Sequence, residues 1–289
     1  MPNLTRERSI KRTTLFKKYI LLALLLTTFT DCFAQKRLIA ITIDDLPFVG
    51  ESKNFHLNMI IDAFKADSVP ATGFVIAKEV TAKNLPTLRK FHDAGLGLGN
   101  HTTTHANLNR LSADAYIQEI AQADKILSPV LTEPKYFRYP YLVMGEGFKK
   151  ERVMHYLSSK NYQIAPISID SKDFVFNQLL LSVPENERRH FLTVLKPCYL
   201  DFIWQQTLKA EEHTRYIHKP DQPQILLIHA NLLNAYVLPD IINLYKQNGF
   251  GFVSLEEALK TGDEEVKLVR ASRNSQQLSK NTESYMAWD

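Results

Sequence analysis

Short apolar runs alternate with runs of helical period along this chain from about residue 36 onward. The β-rich apolar runs fall at 37–43, 71–76, 96–100, 136–138, 163–169, 224–228 and 251–254. Between them, apolar positions recur at helical spacing over about 55–66, 84–94, 112–128, 147–160, 185–215, 234–247 and 255–260. Ser112 begins one of these helical runs and Pro129 stops it. The strand segments are apolar throughout rather than alternating, as expected of strands buried on both faces of a parallel sheet. Strands and helices in strict succession fit a (β/α) barrel better than an open sheet. Residues 174–223 break the rhythm. They are longer than a βα connection requires, rich in Leu, Glu, Arg and Lys, and predict an inserted helical pair beside the barrel mouth. Beyond residue 262 the chain turns polar, and 263–289 reads as a loosely docked tail.

The first 34 residues have a different pattern. Arg6, Arg8, Lys11, Arg12, Lys17 and Lys18 precede an apolar run from Tyr19 to about Thr30, followed by Cys32-Phe33-Ala34. Basic, apolar and small residues in that order predict a signal peptide over 1–34 and an exported protein, periplasmic or extracellular. The apolar run falls short of the roughly 20 residues that span a bilayer. A lipid anchor at Cys32 is the lesser alternative, because Phe29-Thr30-Asp31 lacks the usual Leu-small-small pattern.

Removing that leader changes the charge. The whole chain carries 35 basic and 31 acidic residues; without the leader, 29 of each remain. A neutral mature chain gives no electrostatic reason to expect nucleic acid or an anionic membrane as partner. Cys198 is then the only cysteine, so no intramolecular disulfide is expected.

Polar residues cluster directly after predicted strands, and in a barrel those strand ends converge on one face. The first cluster is Thr42-Ile43-Asp44-Asp45-Leu46-Pro47, in which one carboxylate can bind a metal while the other stays free as a base. The second is Asn100-His101-Thr102-Thr103-Thr104-His105, whose His-x3-His spacing sets two imidazoles one helical turn apart. Two His and a carboxylate form a catalytic metal set with open positions. Phe137-Arg138-Tyr139-Pro140-Tyr141 brings an arginine that can orient a carboxylate. Asp170-Ser171-Lys172-Asp173-Phe174 and Leu226-Leu227-Ile228-His229-Ala230-Asn231 bring further acids and a candidate general acid, His229.

TIDDLP, NHTTTH, FRYPY, DSKD and LLIHAN resemble, in order, the five motifs of the polysaccharide deacetylases, carbohydrate esterase family four with its NodB-homology domain. The resemblance runs from about Arg37 to Leu259 and implies a distorted (β/α)7 barrel over 35–262, with the helical insert at about 174–223. It implies Asp44 as catalytic base and Asp45, His101 and His105 as ligands of a divalent metal ion, commonly Zn2+. Arg138 would orient Asp44, and the Tyr141 N–H would stabilise an oxyanion. His229 would be the general acid, supported by a carboxylate of the fourth motif, Asp173 or Asp170. Leu227 would line the acetyl-methyl pocket, with Phe174 in the pocket wall. The implied activity is hydrolysis of N-acetyl or O-acetyl groups on a carbohydrate.

The sequence departs from the family pattern at several points. Leu46 stands where glycine is usual, Tyr139 where proline is frequent, Phe174 where tryptophan is normal, and Ala230-Asn231 where aspartate often follows the histidine. These departures touch substrate identity and leave the metal set and acid–base pair intact. Two other readings are a metal-dependent hydrolase of a small amide or imide on the same barrel, and a non-catalytic glycan-binding protein.

Overall fold

In the computed structural model, residues 36–48 and 54–260 are described. The expected leader with Cys32 and the tail 263–289 lie outside the described residues. The sheet holds β1 (Leu38–Leu46), β2 (Ala71–Val75), β3 (Gly97–Asn100), β4 (Tyr136–Phe137), β5 (Gln163–Ile164), β6 (Ile169–Asp170), β7 (Gln224–His229) and β8 (Gly251–Phe252). All pairs are parallel. The order is β5-β4-β3-β2-β1-β7-β6, and β8 pairs with the start of β1. The helices are α1 (Asn54–Ala66), α2 (Leu85–Asp93), α3 (Ala113–Leu127), α4 (Gly147–Ser159), α5 (Asp173–Leu181), α6 (Arg188–Tyr216) and α7 (Leu232–Gln247). Among the described residues no helix is long and apolar enough to cross a membrane.

Residue alternation along the strands separates core from site. Ile39, Ile41 and Ile43 of β1 join the main core with α1, α6 and α7 residues such as Phe64, Tyr199 and Ile241. Ala40 instead joins Phe74, Tyr136 and Ile225 in a second cluster inside the curl of the sheet. With a side-chain period of two, Thr42 and Asp44 follow Ala40 inward, while Leu227 and His229 follow Ile225. The inner face therefore becomes polar at the C-terminal ends of the strands.

One expected strand is two. The run 163–169 splits into β5, paired with β4, and β6, paired with β7, so the curled sheet is a half-barrel with a seam between them. Pro166 lies in the gap, where it offers no N–H to a ladder. Arg138 closes the seam from inside: its Nε and one terminal nitrogen donate to the carbonyl oxygens of Ala165 and Pro166, both at 3.2 Å. The stretch expected as a helical insert carries α5 and α6. α6 is the crossover between β6 and β7, and it buries Leu195, Tyr199 and Ile203 in the main core.

Candidate active site at the strand ends

Asp44 and Asp45 reach the same mouth because β1 is bulged. On β1 the register advances from Ile43 to Leu46 while β2 advances only from Gly73 to Val75. One extra residue is thus accommodated, and Asp45 takes it up at φ 62°. On a regular strand adjacent side chains would face opposite ways. Leu46 then returns to the outer core, fully buried. Its side chain occupies the place a Cβ on Gly73 would take, with Leu46 Cδ1 at 2.1 Å from that position. The glycine absent from the first motif is thus offset by one on the neighbouring strand.

His101 and His105 do not sit on a helix, as their spacing had suggested. They bracket a loop in which Thr102 (φ 67°) and His105 (φ 56°) are left-handed. Asn100 Oδ1 accepts from Thr102 N at 2.8 Å, and the Thr102 hydroxyl accepts from Ala106 N at 3.0 Å. The Thr102 and Thr103 carbonyls accept from Ala77 and Lys78 of the next connection. Thr102 and Thr103 thus fix the loop, and the ring centroids end 5.0 Å apart.

Asp45, His101 and His105 each present a ligand atom, all within 4.8 Å of one another. Asp45 Oδ1 lies 3.5 Å from His101 Nε2 and 3.3 Å from His105 Nε2, yet is buried without a hydrogen-bond partner. Donor atoms around a tetrahedral ion with bonds of about 2.0–2.1 Å stand about 3.3 Å apart. His101 Nδ1 faces the Arg138 carbonyl at 2.9 Å, an acceptor only, so Nδ1 carries the proton and Nε2 keeps its lone pair. Burial, outweighing the neighbouring carboxylates, lowers the His105 pKa and favours the neutral ligand form. The residues fit a divalent metal ion.

Asp44 is buried beside this set, with Oδ2 3.8 Å from His101 Nε2. Its Oδ1 accepts from Arg138 at 3.1 Å, and the same guanidinium nitrogen donates to the Thr42 hydroxyl at 2.8 Å. Arg138 is fully buried, and burial lowers its pKa against the opposing pull of Asp44. Across the mouth, His229 Nδ1 meets Asp173 Oδ1 at 2.7 Å, leaving Nε2 as the open nitrogen. Burial disfavours the imidazolium, but Asp173, then Asp44 and Asp45, outweigh it and raise the pKa to about 10. Asp170 does not share this role. It pairs with Lys172 Nζ at 2.6 Å and accepts from Lys172 N.

These groups open into a cavity of about 550 Å³, whose lining also includes Leu227, Tyr141 and Phe174. Tyr141 is left-handed (φ 57°), its ring lies 4.5 Å from that of His105, and no described residue accepts its N–H. Phe174 stands edge-on to His229 at 6.3 Å. The site residues anticipated from the motifs line this cavity except Arg138 and Asp173, which are fully buried behind it against Asp44 and His229. Unanticipated were Asn231 and Asn234, which donate to Asp173, and Tyr199, which holds Asn234. The Asn-x-x-Asn spacing after the β7 histidine was the available signal.

Residues 34–163 match the family described as polysaccharide deacetylase. A peptidoglycan-N-acetylglucosamine deacetylase of Bacillus cereus is 28% identical over 142 residues, 48% of this chain and 47% of that protein. A chitin deacetylase of Colletotrichum lindemuthianum is 30% identical over 157 residues, 53% of this chain and 58% of that one. The chain thus spans about half the length of these curated relatives. The structure of peptidoglycan deacetylase PdaC from Bacillus subtilis superimposes with a TM-score of 0.57 at 22% identity, covering 82% of this chain and 97% of that one. A CE4 family pseudoenzyme from Bacillus anthracis gives 0.55 at 20% identity, covering 78% and 66%. These likenesses show the fold.

Proposed function

We propose that this chain, whose residues 34–163 match the polysaccharide deacetylase family, is an exported, metal-dependent hydrolase that removes N-acetyl or O-acetyl groups from a glycan. The observation that carries the reading is one mouth holding a three-ligand set between two differently supported acid–base groups. Asp44 is held by buried Arg138, and His229 by buried Asp173. The basic, apolar and small-residue order of residues 1–34 supports export.

Asp45, His101 and His105 would hold the divalent ion, zinc by the family's habit, which supplies Lewis acidity to the acyl carbonyl and to water. Asp44 takes the proton of the attacking water as the new C–O bond forms, and Arg138 keeps that carboxylate turned toward the mouth. The Tyr141 N–H, without an acceptor among the described residues, donates to the oxyanion, a contribution of about 3–4 kcal/mol for such a donor elsewhere. His229 gives its proton from Nε2 to the departing nitrogen as the C–N bond breaks. Acetate and the free amine are the products. Leu227 is the wall for the acetyl methyl, and half-exposed Phe174 (51%) and Tyr141 (62%) form a rim open to an extended substrate.

The test is acetate release from a panel of acetylated peptidoglycan, chitin and xylan oligosaccharides, before and after chelation and zinc addition. Release from at least one glycan, lost on chelation and restored by zinc, is expected. Zinc-loaded protein that cleaves only small amides or imides would place the chemistry elsewhere.

A further inference from the structure

Behind His229 lies a buried polar chain of Asp173, Asn234 and Tyr199, none of which lines the cavity. Asp173 is fully buried. Its Oδ2 accepts from the His229 backbone N–H at 2.6 Å, from Asn231 Nδ2 at 2.9 Å and from Asn234 Nδ2. Asn234 Nδ2 also donates to the His229 carbonyl at 2.9 Å. Both neighbours of that nitrogen are acceptors, so the Asn234 amide stands with its NH2 toward Asp173 and its oxygen away. On that far side the Tyr199 hydroxyl donates to Asn234 Oδ1 at 3.0 Å. Burial first, and the Asp173 charge second, raise the Tyr199 hydroxyl well above its ordinary range, which keeps it a donor. Asn231 is oriented the same way, because its Oδ1 accepts from Asn234 N at 3.0 Å.

We propose that Tyr199 and Asn234 are positioning residues for the histidine acid, the Tyr199 hydroxyl locking an amide that, with Asn231, saturates Asp173 Oδ2 and reserves Oδ1 for His229 Nδ1–H. This rests on the reading of His229 as the acid of the proposed deacetylase. A carboxylate oxygen has about two lone-pair sites, so three donors leave Oδ2 no place for the ring. The ring can bond only through Oδ1, which fixes its tautomer and turns Nε2 toward the cavity. The charged groups facing His229 are Asp173 on α5 and Asp44 and Asp45 on β1, with the Phe174 edge beside them. None is altered by a change at Tyr199. The long helix α6, a crossover by topology, thereby enters the chemistry through one hydroxyl.

The experiment compares Tyr199→Phe and Asn234→Leu with wild type, using Asp173→Asn as the reference for a lost partner. In the zinc-loaded full-length protein, kcat on an N-acetyl substrate should fall roughly 3- to 10-fold in Tyr199→Phe, the worth of one buried hydrogen bond. KM should hardly move, the alkaline limb of the pH profile should shift to lower pH, and an O-acetyl substrate should be affected less. Nitrogen-15 NMR of metal-free protein should show the His229 Nδ1–H resonance displaced in the same direction as in Asp173→Asn. Should Asn234→Leu fail to fold, Tyr199→Phe alone decides, since it removes a single oxygen. Unchanged resonance and unchanged limb in Tyr199→Phe, with both moved in Asp173→Asn, would overturn the proposal and leave the deacetylase reading standing. Wild-type protein that deacetylates nothing would remove that reading, while the NMR comparison would still decide the positioning role.

Discussion

Asp44 and Asp45 are neighbours with unequal surroundings, and the inequality divides their roles. Burial works against charge on Asp45, but the adjacent His101, His229 and His105 overcome it and bring its pKa to about 2. On the proposed reading Asp45 is thus an ionised ligand whose buried Oδ1 has no hydrogen-bond partner, whereas Asp44 is tied to Arg138. Asp44→Asn should keep zinc affinity near wild type and lose roughly 10²- to 10⁴-fold in rate, the worth of a general base. Asp45→Asn should weaken zinc binding itself; calorimetric titration of both variants checks the assignment, and the opposite pattern would exchange the roles. If His229 is the acid of the proposed reaction it carries the pH dependence: it must act protonated, so activity should be lost as the pH rises through its raised pKa of about 10. An ion on Asp45 offsets one of the favourable charges, so the alkaline limb of loaded enzyme should lie below 10. Asp173→Asn leaves burial less opposed, lowers the His229 pKa and draws that limb toward acid. A limb that stays put in Asp173→Asn would separate His229 from this carboxylate. These residues were legible as polar clusters at strand ends, because carboxylate pairs, a spaced histidine pair and a strand-end histidine have few uses together, while their individual roles came from the resemblance to the deacetylase motifs. The second rank was not, since Asn234 and Tyr199 acquire meaning only when α6 and α7 meet over Asp173.

Strands and loops place those residues in ways that periodicity does not encode. The runs of apolar residues located the strands closely, down to β7 at 224–229 against an expected 224–228. They could not show that 163–169 divides at Pro166, because two short strands and one longer one share the same apolar pattern. Nor could spacing show that His101 and His105 lie on a loop, which depends on left-handed Thr102 and His105 and on bonds to the 77–78 turn. The β1 bulge is the element on which the site turns, and Leu46 over Gly73 packs its outer side. Gly73→Ala puts a methyl where Leu46 already stands, so it should destabilise the fold by roughly 1–3 kcal/mol, read as a lower urea midpoint with unchanged slope. Full stability in that variant would show that Leu46 has room to move. Arg138 stabilises the β5–β6 seam and orients Asp44 at once. Arg138→Met should cost about 3–5 kcal/mol through the uncompensated charge on buried Asp44, besides the loss of rate.

For the whole molecule, a half-barrel shared with both a peptidoglycan deacetylase and a pseudoenzyme does not by itself decide whether the chain is catalytic. On the proposed reading the residues at the mouth decide it, since the residues assigned as base, ligands and acid all gather around one cavity. Departures from the family pattern lie around them. Leu46 is absorbed by packing, Phe174 forms part of the cavity wall, and Asn231 with Asn234 supports Asp173 in the segment where an aspartate often follows the histidine. On the proposed function, what is particular to this chain lies in substrate choice and in support of the acid, around a centre of ordinary metal hydrolysis. The most direct test of that centre is acetate release by chelated protein as zinc is added back, with bound zinc measured in the same samples. Acetate release should be negligible without metal and rise in step with occupancy to a plateau at one ion per chain, with no recovery at that zinc level in His101→Ala or His105→Ala. Full release by metal-free protein, or restoration in His101→Ala at the same zinc level, would contradict a metal centre built on Asp45, His101 and His105.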